Sequence, residues 1–111
     1  MADRMRRVNE AVREVVSARL VEGLRDPRIG FVTVTSVDTT TDLRQARVYV
    51  SVLGDDEERA ATMAGLASAH GVFQRSLGRE LRMKRTPALE FVFDESIDRG
   101  MRITELLDDD K

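Results

Sequence analysis

The sequence predicts an α+β domain. It is a two-layer sandwich in the order α-β-β-α-kink-α-β, with a three-stranded sheet and the helices on one face. Three observations carry this. Apolar residues recur at helical spacing in 3–24, in 57–70 and again after Gly71, but at alternate positions in 31–37, 45–53 and 88–94. The first two strands are joined by a short polar turn, which makes them an antiparallel hairpin. The third strand follows a long helical segment, so the chain must return to the sheet beside an earlier strand.

In 3–24, Met5, Val8, Val12, Val15, Val16 and Leu20 form one stripe. Gly23 and then Asp26-Pro27 stop the helix, because a residue before proline is pushed out of the helical region. "FVTVTSV" at 31–37 is rich in β-branched residues with threonine alternating, hence a strand. "DTTTDL" is the turn. "QARVYVSVL" at 45–53 sets Ala46, Val48, Val50 and Val52 on one face and Arg47, Tyr49 and Ser51 on the other. Gly54 ends it. The acids Asp55, Asp56, Glu57 and Glu58 stand where the next helix begins, so capping and the helix dipole explain them better than a metal does. Over 57–70 the expected buried stripe is Ala60, Met63, Ala64, Leu66 and Ala67.

After Gly71 the pattern restarts. Phe73, Leu77 and Leu81 share one side, and Arg75, Arg79 and Arg82 fall opposite, until Thr86-Pro87 ends the helix. In 88–94, Leu89, Phe91 and Phe93 face one way and Glu90, Val92 and Asp94 the other. Residues 96–111, with Ile97, Met101, Ile103, Leu106 and Leu107, are expected to fold back as a loop or short helix, the last few residues being disordered. The whole of 1–111 reads as a single domain, without repeats or linkers.

Composition removes several function classes. There is no cysteine, which excludes disulfides, zinc–thiolate sites and thiol catalysis, and a cytoplasmic home is the simplest fit. One histidine, no G-x-x-x-x-G-K and no dinucleotide fingerprint argue against an enzyme, a cofactor or a metal. No apolar run approaches the roughly 18 residues of a membrane span, and the charged N-terminus lacks a signal-peptide core. The net charge of −2 hides an uneven distribution. Residues 71–87 hold Arg75, Arg79, Arg82, Lys84 and Arg85 against Glu80 alone, while acids gather at 55–58 and 108–110. Of the 18 basic residues only Lys84 and Lys111 are lysines, and arginine's planar fork suits phosphate. Arg4, Arg6 and Arg7 crowd the first helix start, where the dipole disfavours cations, so they read either as a solvated terminus or as partner contacts.

A helix, a bend at glycine and a second helix between two strands resemble the KH fold, an RNA-binding module in which a glycine turn admits the nucleic-acid backbone. The usual G-x-x-G is absent; Ala69-His70-Gly71 stands in its place. "RDPRIGFVTVTSV" (Arg25–Val37), "DLRQARVYVSVL" (Asp42–Leu53), "RSLGRELRMKRTPALEF" (Arg75–Phe91) and "GMRITELL" (Gly100–Leu107) surround it in order. Together these segments resemble the ribosome-binding factor A family. That family is a KH-like domain, related to type II, in which A-x-G replaces G-x-x-G.

The resemblance implies a non-enzymatic ribosome biogenesis factor. It would bind the free or immature 30S subunit through 16S rRNA and promote late maturation, including 5′-end processing, with importance in the cold. A ribosome-maturation GTPase is a further candidate partner, and a cytoplasmic monomer without cofactors is expected. The expected RNA contacts are Ala69, His70 and Gly71 at the bend, then Arg75, Arg79, Arg82, Lys84 and Arg85, with Arg4, Arg6 and Arg7 secondary. Two competing readings remain on the residues alone: a generic KH-like RNA-binding module, and a protein-interaction domain docking through acidic patches. His70, projected beside Met63 and Leu66, is expected to be packed or part of the hinge.

Overall fold

Ala46, Val48, Val50 and Val52 alternate along one strand and are all buried, so this strand lies at the centre of the core. The computed structural model describes residues 2–95. Its elements are α1 (Ala2–Glu22), β1 (Val32–Thr39), β2 (Gln45–Val52), α2 (Asp56–Ser68), α3 (His70–Glu80) and β3 (Ala88–Phe93). The sheet order is β1-β2-β3. β1 runs antiparallel to β2, and β3 lies parallel to β2 on its other side. The parallel return requires a crossover, which α2 and α3 supply. The helices cover the face that carries the β2 valines, where Val12, Val16, Leu66, Phe73, Leu77 and Leu89 close the core. Phe73 packs on Phe91 with ring centroids 4.9 Å apart; burying a ring of that size contributes about 1.5–3 kcal/mol.

β1 is not a plain alternating strand. Val34 pairs with Val50, but the next partner of Tyr49 is Ser36, so Thr35 is an extra, bulged residue. The inward face therefore passes from Val32 and Val34 to Val37 and Thr39. The Thr35 hydroxyl lies 2.6 Å from Asp94 Oδ2 at the end of β3 and 3.2 Å from the Tyr49 carbonyl on β2, so the bulge is tied to its neighbour β2 and, beyond it, to the end of β3.

α1 ends at Gly23, whose φ of 95° is the left-handed conformation that glycine adopts freely and whose N–H reaches the Arg19 carbonyl. The loop behind it is held by polar contacts. Asp26 accepts hydrogen bonds from the Arg28 backbone N–H and from its guanidinium, and the same guanidinium donates to Ser68 Oγ at the end of α2. Buried Thr62 donates to the Arg28 carbonyl and accepts from the Gly30 N–H. α2 begins with a capping box. The Asp55 side chain accepts from the Glu58 N–H, and the Glu58 carboxylate takes the Asp55 N–H.

Four expectations require correction. The chain bends at Ala69, not at Gly71, which already lies in the first turn of α3. α3 stops at Glu80; Leu81 is extended, and Arg82, Lys84 and Arg85 lie in a loop, not on the helix. The stop comes early because the Gln74 side chain grips the Pro87 carbonyl and the Leu89 N–H, drawing the chain back onto the sheet. In α2, Ala60, Ala64 and Ala67 are exposed, whereas Thr62, Gly65 and Leu66 are buried. An alanine-rich wheel has little polarity of its own, so the hydrogen bonds of Thr62 choose its face. Finally, His70 is exposed: the turn at Ala69 takes it off the wheel of α2. The expectations for 96–111 lie outside the described residues.

Candidate nucleic-acid interface

The break between α2 and α3 is one residue wide. Ala69 takes φ −85°, ψ 7°, the bridge region between helix and strand. Its N–H still donates to the Gly65 carbonyl, and its own carbonyl accepts from Val72. α3 then starts with no capping side chain and no acid in its first turn, in contrast to the acid-capped start of α2. A helix start of this kind leaves backbone N–H groups and positive dipole for an anion.

Gly71 sits in this first turn, exposed and without a positive φ. A Cβ built there would meet only the Arg75 guanidinium, at an ordinary 3.5 Å. Neither backbone conformation nor internal packing therefore demands glycine. The missing side chain opens space on the outside, directly beneath the Arg75 guanidinium. Half-buried Ala69 and exposed His70, Gly71 and Arg75 thus form one unit at the surface.

The other expected cations divide. Arg82, Lys84 and Arg85 from the loop after α3 meet Arg4 from α1 around a shallow cavity of about 500 Å³. Arg44, which sequence reasoning missed, completes the ring, so five cations face it against a single carboxylate, Asp42. Like charges this close, outnumbering their one carboxylate, favour an anionic ligand. Arg79 is not part of this group. It lines a groove between α1 and α3 with Glu14, Glu22 and Glu80. Arg6 and Arg7 are exposed on α1 and line neither cavity.

Arg44 is set by the β1–β2 turn. Leu43 has φ 61°, a left-handed conformation that costs a leucine roughly 1–2 kcal/mol. Asp42 holds the turn by accepting from the Thr40 hydroxyl at 2.7 Å and from the Arg44 N–H at 3.1 Å. The Thr40 hydroxyl first, and then that N–H, keep the Asp42 carboxyl below the usual carboxylate range. The Arg44 carbonyl accepts from the Ala88 N–H at 2.8 Å, which ties the turn to the end of the 81–87 loop. A charge count along helices misses Arg44 because it flanks a turn. Its position in "TTDLRQ", one residue before the second strand, was the available signal. Arg47, the neighbouring basic residue on β2, is already paired with Glu90 across the sheet at 3.5 Å.

This geometry can be set against known proteins. The family model described as Ribosome-binding factor A matches residues 4–107. The chain belongs to the ribosome-binding factor A family. A ribosome-binding factor A of Geobacter sulfurreducens is 50% identical over 107 residues, covering 96% of this chain and 91% of that protein. One from Anaeromyxobacter dehalogenans is 52% identical over 106 residues, covering 95% and 77%. Among solved structures, the crystal structure of ribosome-binding factor A from Thermus thermophilus superposes with a TM-score of 0.67 at 26% identity, over 79% of this chain and 93% of that one. A homology model of the Thermus thermophilus factor, fitted into a cryo-EM map of a 30S–RbfA complex, gives a TM-score of 0.59 at 28% identity over 83% and 92%. The fold is accordingly the KH-like one expected for the family. Among the described residues, no helix is long and apolar enough to cross a membrane.

Proposed function

We propose that this chain is a non-enzymatic ribosome biogenesis factor that binds the free or immature 30S subunit through the phosphate backbone of 16S rRNA. The observation that carries the reading is its likeness, over 83% of its length, to the factor fitted into a 30S complex. The Ala69-His70-Gly71 turn, at the surface under Arg75, supports it. Gly71 lets the RNA backbone approach the start of α3, whose N–H groups and dipole favour a phosphate. Arg75 adds a second, charge-assisted contact. These contacts recognise backbone shape and charge, not base identity. Holding one arrangement of the rRNA biases its folding equilibrium and needs no chemical step. Late maturation, including 5′-end processing, and a larger role in the cold are what the family resemblance implies for a factor of this kind. The chain would act as a cytoplasmic monomer, with a ribosome-maturation GTPase as a candidate partner.

The test is co-sedimentation of the purified protein with free small subunits, large subunits and whole ribosomes over a salt series. The expected result is preferential binding to free small subunits, with affinity falling by a log–log slope of about −0.7 for each phosphate contact. Equal binding to every RNA would reduce the reading to a generic KH-like module. Salt-insensitive binding would point to a protein interface instead.

A further inference from the structure

We propose that the cavity between α1, the β1–β2 turn and the 81–87 loop is a second seat for RNA phosphates, separate from the Ala69-His70-Gly71 turn, with Arg44 as its fixed member. The inference rests on the RNA-binding reading above and deepens it: the protein grips its RNA at two points, not along one helix face.

Separation comes from α3. Its 11 residues place roughly 16 Å between its two ends. The turn with Arg75 lies toward the first end, and the loop with Arg82, Lys84 and Arg85 follows the second. Between them Arg79 shares its groove with three carboxylates, one of them already paired with Arg19, and this acidic stretch interrupts any continuous basic track. The second seat is also built differently from the first. Its charge comes from side chains on three chain segments, Arg4 on α1, Arg44 on the turn and the three cations of the loop.

Arg44 is the member that the backbone fixes. The left-handed Leu43 before it is locked by its N–H to the Thr40 carbonyl at 2.8 Å. Asp42 holds the Arg44 N–H and Ala88 holds the Arg44 carbonyl, so both sides of the residue are tied. Its side chain nevertheless stays 72% exposed, with Nε 3.8 Å from Asp42 Oδ2, beyond hydrogen-bond reach. Arginine on a pinned backbone, held at its guanidinium by no more than this loose ion pair, is preorganised for phosphate. No ion pair engages Arg4, Arg82, Lys84 or Arg85 among the described residues. Five cations against one carboxylate repel one another and weaken the fold slightly, so removing one of them should not destabilise the protein.

The experiment uses the full chain, labelled with nitrogen-15, and titrates inorganic pyrophosphate and then a structured RNA fragment, with small-subunit co-sedimentation in parallel. The variants are Arg44→Ala and, as a control of equal charge change, Arg13→Ala on the exposed side of α1. The expected result has three parts. Pyrophosphate shifts the amides of 42–45 and 82–85 in the parent protein. Arg44→Ala abolishes those shifts while leaving the melting temperature equal or higher. It also flattens the salt slope of subunit binding by about 0.7 and weakens binding several-fold, whereas Arg13→Ala does neither. Parent-level affinity and slope in Arg44→Ala, with subunit binding by the parent intact, would overturn the second seat and leave the proposed function standing. Pyrophosphate shifts at 42–45 without any RNA or subunit binding would make this a seat for a small phosphate ligand and overturn its assignment to RNA. A parent protein that binds no subunit and shows no shift would overturn both.

Discussion

Gly65 and Gly71 lie on either side of the turn at Ala69, one in α2 and one in α3, and they are glycines for opposite reasons. A Cβ at Gly65 would stand 2.6 Å from Ile29 Cγ1, closer than real Cβ contacts come, and 3.4 Å from Asp26 Oδ2. A Cβ at Gly71 would meet nothing closer than 3.5 Å. The first glycine serves the inside, letting α2 press against the 26–30 loop. The second has no such internal reason and leaves room on the outside. Both look the same in the sequence, a helix former's position occupied by the poorest ordinary helix former. Only the neighbours tell them apart: Ile29 requires the first glycine, whereas nothing inside the fold requires the second, which leaves open space beside the Arg75 guanidinium.

The largest effect should come from the inside glycine. Gly65→Val forces Ile29 or α2 to move, and overpacking of this kind costs roughly 1–3 kcal/mol. The cost should appear as a lower urea midpoint with an unchanged slope. Because α2 carries the Ala69 turn, subunit binding should fall along with stability. A midpoint equal to that of the parent would mean that Ile29 swings away freely, and the contrast with Gly71 would be lost.

The outside glycine should give a smaller effect of opposite sign. Gly71→Ala removes a helix penalty of about 1 kcal/mol, so the protein should become slightly more stable while small-subunit binding weakens. Gly78, also in α3 and exposed, is the control: a Cβ there meets nothing within 4 Å. Gly78→Ala should bring the same gain in stability with binding unchanged. Equal binding by both variants would show that Gly71 is as idle as Gly78, and the close-approach role at the bend would fall.

The pair also explains how far the sequence could be read. The element order, the hairpin and the face of β2 follow from periodicity alone, because Ala46, Val48, Val50 and Val52 leave one choice of face. The face of α2 did not follow, because alanines carry too little apolar surface to outvote Thr62, whose buried hydroxyl must meet the Arg28 carbonyl and the Gly30 N–H. Arg75 beside Gly71 was legible, since their spacing within one helix sets them together. The end of α3 was not, because Leu81 keeps the apolar period while Gln74 pulls the chain out of the helix. That error hid the basic cavity. Three of its cations sit on a loop, and Arg44 reaches them only through a pairing between the turn and the start of β3, a contact across the fold that no local spacing encodes.

The smallest effect concerns pH, and it sharpens the inside half of the contrast. The contact beneath Gly65 depends on the 26–30 loop, and that loop depends on Asp26. Hydrogen bonds from the Arg28 side chain, and then from its backbone N–H, lower the Asp26 carboxyl from 3.8 to about 2. A folded-state pKa below the unfolded one means that the unfolded chain takes up the proton first as acid is added. The contribution is therefore complete above about pH 4 and is lost as the pH falls through about 2. Arg28, whose own ionisation is raised chiefly by the same hydrogen bond, stays charged throughout. Stability measured by urea unfolding between pH 5 and 2 should drop less steeply in Asp26→Asn than in the parent, with the two nearly parallel above pH 5. Asp26 is half-buried but Arg28 is exposed, and solvent screening keeps the contribution of the pair small, so the difference in slope, not the loss at neutral pH, is the quantity to read. Because Arg28 also reaches Ser68 beside the Ala69 turn, the acid-released parent should lose order at 26–30 and 65–69 together, while amides around Gly71 shift only after them. Simultaneous loss at both glycines would mean that the bend is one rigid piece and that the division between inside and outside stops at packing.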